Sequence, residues 1–197
     1  MSLETRTVKL TELRAADEAH PRRLTGVAVV YGAEAEMFDF TERFQPGAFK
    51  EWLATDFNVR ARFEHDELLA SRSNSTLKLT DTPSGLEVEI DVAETRAGDD
   101  ALALVERGDI EGMSFGFRVM PGGQAWSEEG DKLYRDIFKA ELHEVTITDS
   151  PAYTDSSIAK RSVDPAAISE AKRRKEAGQC PDLDERRRQL RQQQAAA

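Results

Sequence analysis

Arg107-Gly108-Asp109-Ile110-Glu111-Gly112-Met113-Ser114-Phe115-Gly116-Phe117 is the stretch on which the fold turns. Just upstream, residues 98–107 set Ala101, Leu102, Leu104 and Val105 on one helical stripe, and Gly108 suits the left-handed position past a helix end. Downstream, residues 114–120 read as a strand. The pattern Gly112-Met113-Ser114-Phe115-Gly116 is GxSxG, but a nucleophile elbow needs a strand before its serine and a helix after it. Here the helix comes first and the strand follows, and the histidine candidate His65 precedes the serine. A doubly wound α/β-hydrolase is thereby excluded. A serine that opens a strand between glycines can present its hydroxyl, because small neighbours leave room for a substrate backbone. The same residues also suit a tight turn without chemistry.

Outward from this segment the chain is rich in short strand patterns. Residues 24–31 (Leu-Thr-Gly-Val-Ala-Val-Val-Tyr) are β-formers ending at Gly32. Residues 58–65 alternate, with Val59, Ala61, Phe63 and His65 on one face and Arg60, Arg62 and Glu64 on the other. Two alternating runs, 75–80 and 86–92, flank Asp81-Thr82-Pro83-Ser84-Gly85, whose proline and glycine suit a chain reversal. Residues 142–148 predict another strand. Between 120 and 142, Pro121-Gly122-Gly123 and Ser127-Glu128-Glu129-Gly130 mark a loop. A short helix is expected from about Pro46 through Phe49, Trp52 and Leu53. The fold class is α+β, mainly antiparallel β with a few short helices.

The net charge of −10 is unevenly spread. From Lys160 onward there are ten Lys or Arg against six Asp or Glu, so this stretch is +4 and the rest of the chain −14. An acidic body repels phosphates, which argues against a general nucleic-acid binder. Lys172-Arg173-Arg174-Lys175 and Arg186-Arg187-Arg188 are interleaved with acids and read as a solvated helical face. Past about Arg161 aromatics vanish, so residues 161–197 form a charged helical or disordered tail outside the core, broken near residues 178–181. Cys180 is the single cysteine, which excludes intramolecular disulfides and cysteine metal clusters. No apolar run approaches the roughly 18 residues of a membrane span, and no membrane partner is expected.

Three polar points carry the candidate chemistry. His65 ends an alternating strand on its apolar face, flanked by Glu64 and Asp66, which would favour its protonated form. Such a histidine also serves as a packed structural residue. Ser114 is the candidate nucleophile. In the run Leu142-His143-Glu144-Val145-Thr146-Ile147, Glu144 shares a face with Leu142 and Thr146, and His143 shares the other with Val145 and Ile147. A carboxylate or second imidazole there could orient His65, the third role of a catalytic triad. Ordinary cross-strand pairing is the other reading of that run. A metal-dependent hydrolase using His65, Asp66 and Glu144 lacks any close-spaced ligand pair. No cofactor or metal is expected.

Taken together, the segments resemble the prohead (capsid) maturation protease family of tailed phages, itself related to the capsid-assembly serine proteases of herpesviruses. The matching residues run in the family's order. They are Gly26-Val27-Ala28-Val29-Val30-Tyr31, Glu42-Arg43-Phe44-Gln45-Pro46-Gly47-Ala48-Phe49, Phe63-Glu64-His65-Asp66, Gly85-Leu86-Glu87-Val88, the serine segment above, Leu142 to Ile147, and Ser150-Pro151-Ala152-Tyr153. The serine segment is the most specific of them. Ser71-Arg72-Ser73-Asn74 departs from the small turn that many relatives carry after the histidine segment.

The resemblance implies a herpesvirus-protease-like β-barrel, with a serine protease domain over residues 1–160 and the tail over 161–197. It implies Ser114 and His65 in the family's catalytic roles and Glu144 as third member, with His143 the alternative because the herpesvirus relatives use a histidine. Oxyanion donors are expected from the peptide N–H groups around Phe115 and Gly116 or from the loop after the third strand. The implied function is a serine endopeptidase acting during phage procapsid maturation on capsid protein and scaffolding protein, and on itself. The implied location is the procapsid interior in the host cytoplasm, with prophage-encoded copies cytoplasmic. A non-enzymatic assembly or scaffolding factor on the same fold is the alternative, with the tail as its active part.

Overall fold

The computed structural model describes residues 3–9, 14–15, 20–37, 39–149 and 165–183, and residues 185, 188, 189 and 192 beyond them. Among the described residues there are thirteen strands: β1 (Glu4–Lys9), β2 (Arg14–Ala15), β3 (Arg23–Val30), β4 (Ala35–Glu36), β5 (Thr41–Phe44), β6 (Arg60–Phe63), β7 (Glu67–Ser71), β8 (Leu77–Asp81), β9 (Gly85–Asp91), β10 (Gly112–Val119), β11 (Gln124–Glu129), β12 (Lys132–Ile137) and β13 (Ala140–Thr148). The helices are α1 (Lys50–Leu53), α2 (Arg96–Glu106) and α3 (Pro165–Glu176).

The strands form three sheets, ordered β1-β10-β13-β6-β7, β11-β12-β5-β4 and β2-β3-β9-β8. Eight of the ten ladders among the described residues are antiparallel; β5–β12 and β6–β13 are parallel. The mainly antiparallel α+β class therefore holds. The expected herpesvirus-protease-like β-barrel is not seen among the described residues: each of the three sheets has two edge strands, so they are open.

Local chemistry accounts for the elements the sequence predicts. Thr95 caps α2 by accepting from Gly98 N at 3.2 Å, and Gly108 follows with φ +77°. The hairpin β8–β9 pairs Leu77 with Ile90 and Leu79 with Val88. Several segments differ from expectation: β1, β4, β5 and β7 are additional strands, and the short helix starts only at Lys50. The loop expected between 120 and 142 contains the hairpin β11–β12, turning at Gly130 (φ +56°). Its pattern is hard to read because buried Arg135 and Asp136 interrupt the apolar run Leu133, Tyr134, Ile137.

The tail also differs. Ile168 and Ala171 of α3, with Cys180, pack against Phe40, Leu133, Met37 and Trp126 in a second apolar cluster. Lys172 pairs with Asp39 at 2.9 Å, and Glu128 N donates to Pro181 O at 3.0 Å on the free edge of β11. A few small apolar residues suffice because the facing surface is aromatic. Arg173 and Arg174 pair with Glu170, as expected of a solvated face. The expected boundary at residue 160, the exit segment 150–153 and Arg186-Arg187 lie outside the described residues.

The main core is aromatic where it supports β10. Phe44 stacks on Phe49 and meets Phe115 and Phe117 edge-on, with centroids 5.0–5.6 Å apart. Met113, Phe115 and Phe117 thus point inward, and strand alternation sends Ser114 and Gly116 to the opposite face. Beside the core lies a buried ionic cluster. Arg6 and Arg135 share the carboxylates of Glu4 and Glu42 at 2.6–3.0 Å, joining β1 to the β5–β12 pair.

Candidate active site

The site is built on the middle of the five-stranded sheet. Ser114 pairs with Thr146 and Gly116 with Glu144 across β10–β13; Thr146 pairs with Arg62 and Glu144 with Arg60 across β13–β6. One face of three adjacent strands therefore carries Ser114, Gly116, Glu144, Thr146, Arg60 and Arg62. The inward face carries Phe115, Val145, Ile147, Ala61 and Phe63.

His65 does not continue the β6 alternation as its spacing predicts. The strand stops at Phe63, and Glu64 and His65 both adopt left-handed backbone, with φ +47° and +66°. Asp66 N closes the turn onto Phe63 O at 3.2 Å. Two side-chain-bearing residues in this region cost on the order of 1–3 kcal/mol each. The turn removes His65 from the apolar face of Val59, Ala61 and Phe63. Its Nδ1 lies 3.5 Å from Glu144 Oε1, and its side chain is 44% exposed.

Glu144 is gripped from both sides. Its second oxygen lies 3.2 Å from Arg62 Nε, and Arg62 also donates from Nη1 to Asp66 O at 3.0 Å. Gly116 makes room for this carboxylate, since a Cβ there would sit 3.0 Å from Glu144 Cγ. The stretched hydrogen bond to Glu144 raises the proton affinity of His65 above its ordinary value. Partial burial opposes that, and the charges of Glu144, Glu64 and Asp66 add to it. Reciprocally, His65 and then Arg62 hold the Glu144 carboxyl below its ordinary value against partial burial.

His143 goes elsewhere. The register of β13 on β10 slips between Gly116 and Phe117, leaving His143 unopposed in a bulge. Its Nε2 meets Glu141 Oε2 at 3.1 Å, and its ring packs beside Trp52 and Phe57. Of the two candidates for the third role, Glu144 is the one that reaches His65.

Ser114 is fully buried, and among the described residues its Oγ has no hydrogen-bond partner; nor has Thr146 Oγ1 beside it. The serine hydroxyl and the His65 imidazole are thus on one face of the sheet without being joined. Because β10 is paired on both sides, by β1 and β13, the N–H groups of Phe115 and Gly116 face neighbouring strands. Among the described residues no group of three His, Cys, Asp or Glu side chains is placed to hold a metal, and His65, Asp66 and Glu144 do not form one.

The model of the caudovirus prohead serine protease family matches residues 8–169 of the 197, a span that includes Ser114, His65 and Glu144. The chain belongs to that family. No curated protein and no solved structure matches it. Membership makes the chain a serine peptidase of the kind that matures phage capsids. Among the described residues no helix is long and apolar enough to cross a membrane. Three residues that the structure places around His65 and Glu144 go beyond the sequence reading: Arg62, the clamp made by Glu64, and the space at Gly116. Arg62 and Glu64 read as polar residues of a continuous strand. The GxSxG pattern marked Gly116, but not as the space occupied by Glu144.

Proposed function

We propose that Ser114 is the nucleophile, His65 its general base and Glu144 the carboxylate that orients the imidazole. The Ser114 hydroxyl attacks the scissile carbonyl and its proton passes to His65. His65 then gives that proton to the leaving amine, and water hydrolyses the acyl-serine with His65 again as base. Glu144 holds the proton on Nδ1, leaving Nε2 to work on the serine, and stabilises the imidazolium that forms. The observation that carries this reading is the His65–Glu144 ion pair on the Ser114 face of a family serine peptidase. Substrate engagement brings the hydroxyl and imidazole within hydrogen-bond reach, since unliganded catalytic contacts are often slack.

The substrates are scaffolding protein, or a scaffolding segment of the capsid protein, inside the assembled procapsid, and the chain also cuts itself. Co-expression with the capsid and scaffolding proteins, followed by mass spectrometry of the fragments, tests this. Ser114→Ala should abolish all fragments, since losing one triad member costs about four or more decades in rate. A serine-reactive fluorophosphonate should label Ser114 only when His65 is present. Unchanged fragments from Ser114→Ala would overturn the assignment.

A further inference from the structure

The three-residue turn that presents His65, between the paired Phe63 and Glu67, has neither glycine nor asparagine at its two left-handed positions, although such backbone favours them. Such backbone persists only where its surroundings over-determine it. The surroundings here are supplied by Glu64. Its N–H donates to Ile147 O at 3.0 Å. Its Oε2 accepts from Thr148 Oγ1 at 3.0 Å, and its Oε1 accepts from Asp149 N at 3.0 Å. All three partners belong to the end of β13 or the residue after it, the strand that carries Glu144. One carboxylate therefore ties the His65 turn to the Glu144 strand.

Resting on the catalytic assignment above, we infer that Glu64 is a positioning residue: its clamp on Thr148 and Asp149 sets the His65 imidazole against Glu144 on the Ser114 side of the sheet. A carboxylate suits this task because both oxygens accept, whereas an amide offers one accepting oxygen. The charged groups that face His65 are Glu144 from β13 and Glu64 and Asp66 from its own turn, with Arg62 acting through Glu144.

The test uses the full chain with Glu64→Asn, Glu64→Gln and His65→Gln, and a peptide spanning a cleavage site mapped by the co-expression experiment. Asparagine tolerates left-handed backbone but is one carbon shorter, so Glu64→Asn keeps the turn's preference and loses the clamp. It should lower kcat by about 10- to 100-fold, the scale of a misplaced catalytic group, with KM within about twofold. Glu64→Gln keeps the reach and one acceptor and should recover part of the loss. The NMR titration of His65, resolved from His20 and His143 by the His65→Gln spectrum, should shift downward in Glu64→Asn. This readout needs no turnover. Full kcat in Glu64→Asn, or an unmoved His65 titration, with His65→Gln inactive, overturns the clamp alone. Cleavage that survives His65→Gln overturns the catalytic assignment and the clamp together.

Discussion

The side chain of Glu144 lies over Gly116, the residue two positions beyond Ser114 on the neighbouring strand, so closely that a methyl group at 116 would sit 3.0 Å from Glu144 Cγ. The carboxylate sits beside Gly116 on one side and meets the His65 imidazole, 3.5 Å away, on the other. The GxSxG pattern therefore serves two ends here, placing the serine on the sheet and making room for the Glu144 side chain beside His65.

Gly116→Ala follows directly. The added methyl displaces Glu144 by a few tenths of an ångström and loosens its hold on His65. Peptide cleavage should fall about tenfold, because small misplacements at a reacting centre are costly. The neighbour that yields is a partly exposed side chain, so the unfolding free energy should change by less than about 1 kcal/mol. Parallel measurement of kcat/KM and urea unfolding checks both.

The His65–Glu144 pair predicts a pH profile with a definite sign. His65 must be neutral to accept the serine proton, and its pKa is raised from 6.5, so the acid limb of kcat/KM lies above pH 6.5. Glu144→Gln removes the main cause and should move that limb to lower pH while slowing cleavage. For stability, the raised His65 contributes fully below 6.5 and is lost as pH climbs through its folded value. The lowered Glu144 contributes above 4.5 and is lost as pH falls through its folded value. The pair therefore supports the fold chiefly between pH 4.5 and 6.5. A limb that stays in place in Glu144→Gln would contradict the assignment.

Ser114→Ala should stabilise the protein while it abolishes cleavage. The Ser114 hydroxyl is buried and unsatisfied, which costs about 1–3 kcal/mol of desolvation. Alanine removes the orphan group and leaves a void of one oxygen, so a net gain of about 1 kcal/mol is expected. For a chain of this size that is a rise in Tm of about 2–4 °C. A lower Tm in calorimetry would show that the hydroxyl is satisfied in solution.

Glu42 holds the ionic cluster together. Burial alone would push its carboxyl up, but the charges of Arg6 and Arg135 and their hydrogen bonds outweigh it and keep it below its ordinary value. Its contribution is present above pH 4.5 and lost as pH falls through the lowered folded value, so it helps drive acid unfolding. Glu42→Ala removes the buried carboxylate that Arg6 and Arg135 share and should cost about 3–5 kcal/mol at neutral pH. Denaturant unfolding of the variant checks the magnitude.

Much of the scaffold was legible in short windows. The β3 run, the β8–β9 hairpin, α2 with its glycine stop, and the alternation of β10 and β13 follow from local preferences and the twofold strand period. The order of these segments was enough to carry the family resemblance. The β11–β12 hairpin was missed because Arg135 and Asp136, buried against partners far along the chain, break its apolar pattern. The tail's few apolar residues make no stripe of their own; they count only against Phe40, Leu133 and Trp126, in a cluster separate from the main core.

The sequence by itself determined which residues are candidates for the chemistry, Ser114, His65 and an acid or imidazole at 143–144, and several of the segments that become strands. Local dihedral preference and side-chain alternation act over a few residues, so a short window contains them. Only the tertiary structure decided which of these groups meet. His65 leaves the apolar face because its turn is tied to Thr148 and Asp149, and Glu144 rather than His143 faces it because β13 bulges against β10. Both outcomes depend on strand register, which is set jointly by partners distant along the chain, and a slip of one residue sends every side chain to the other face.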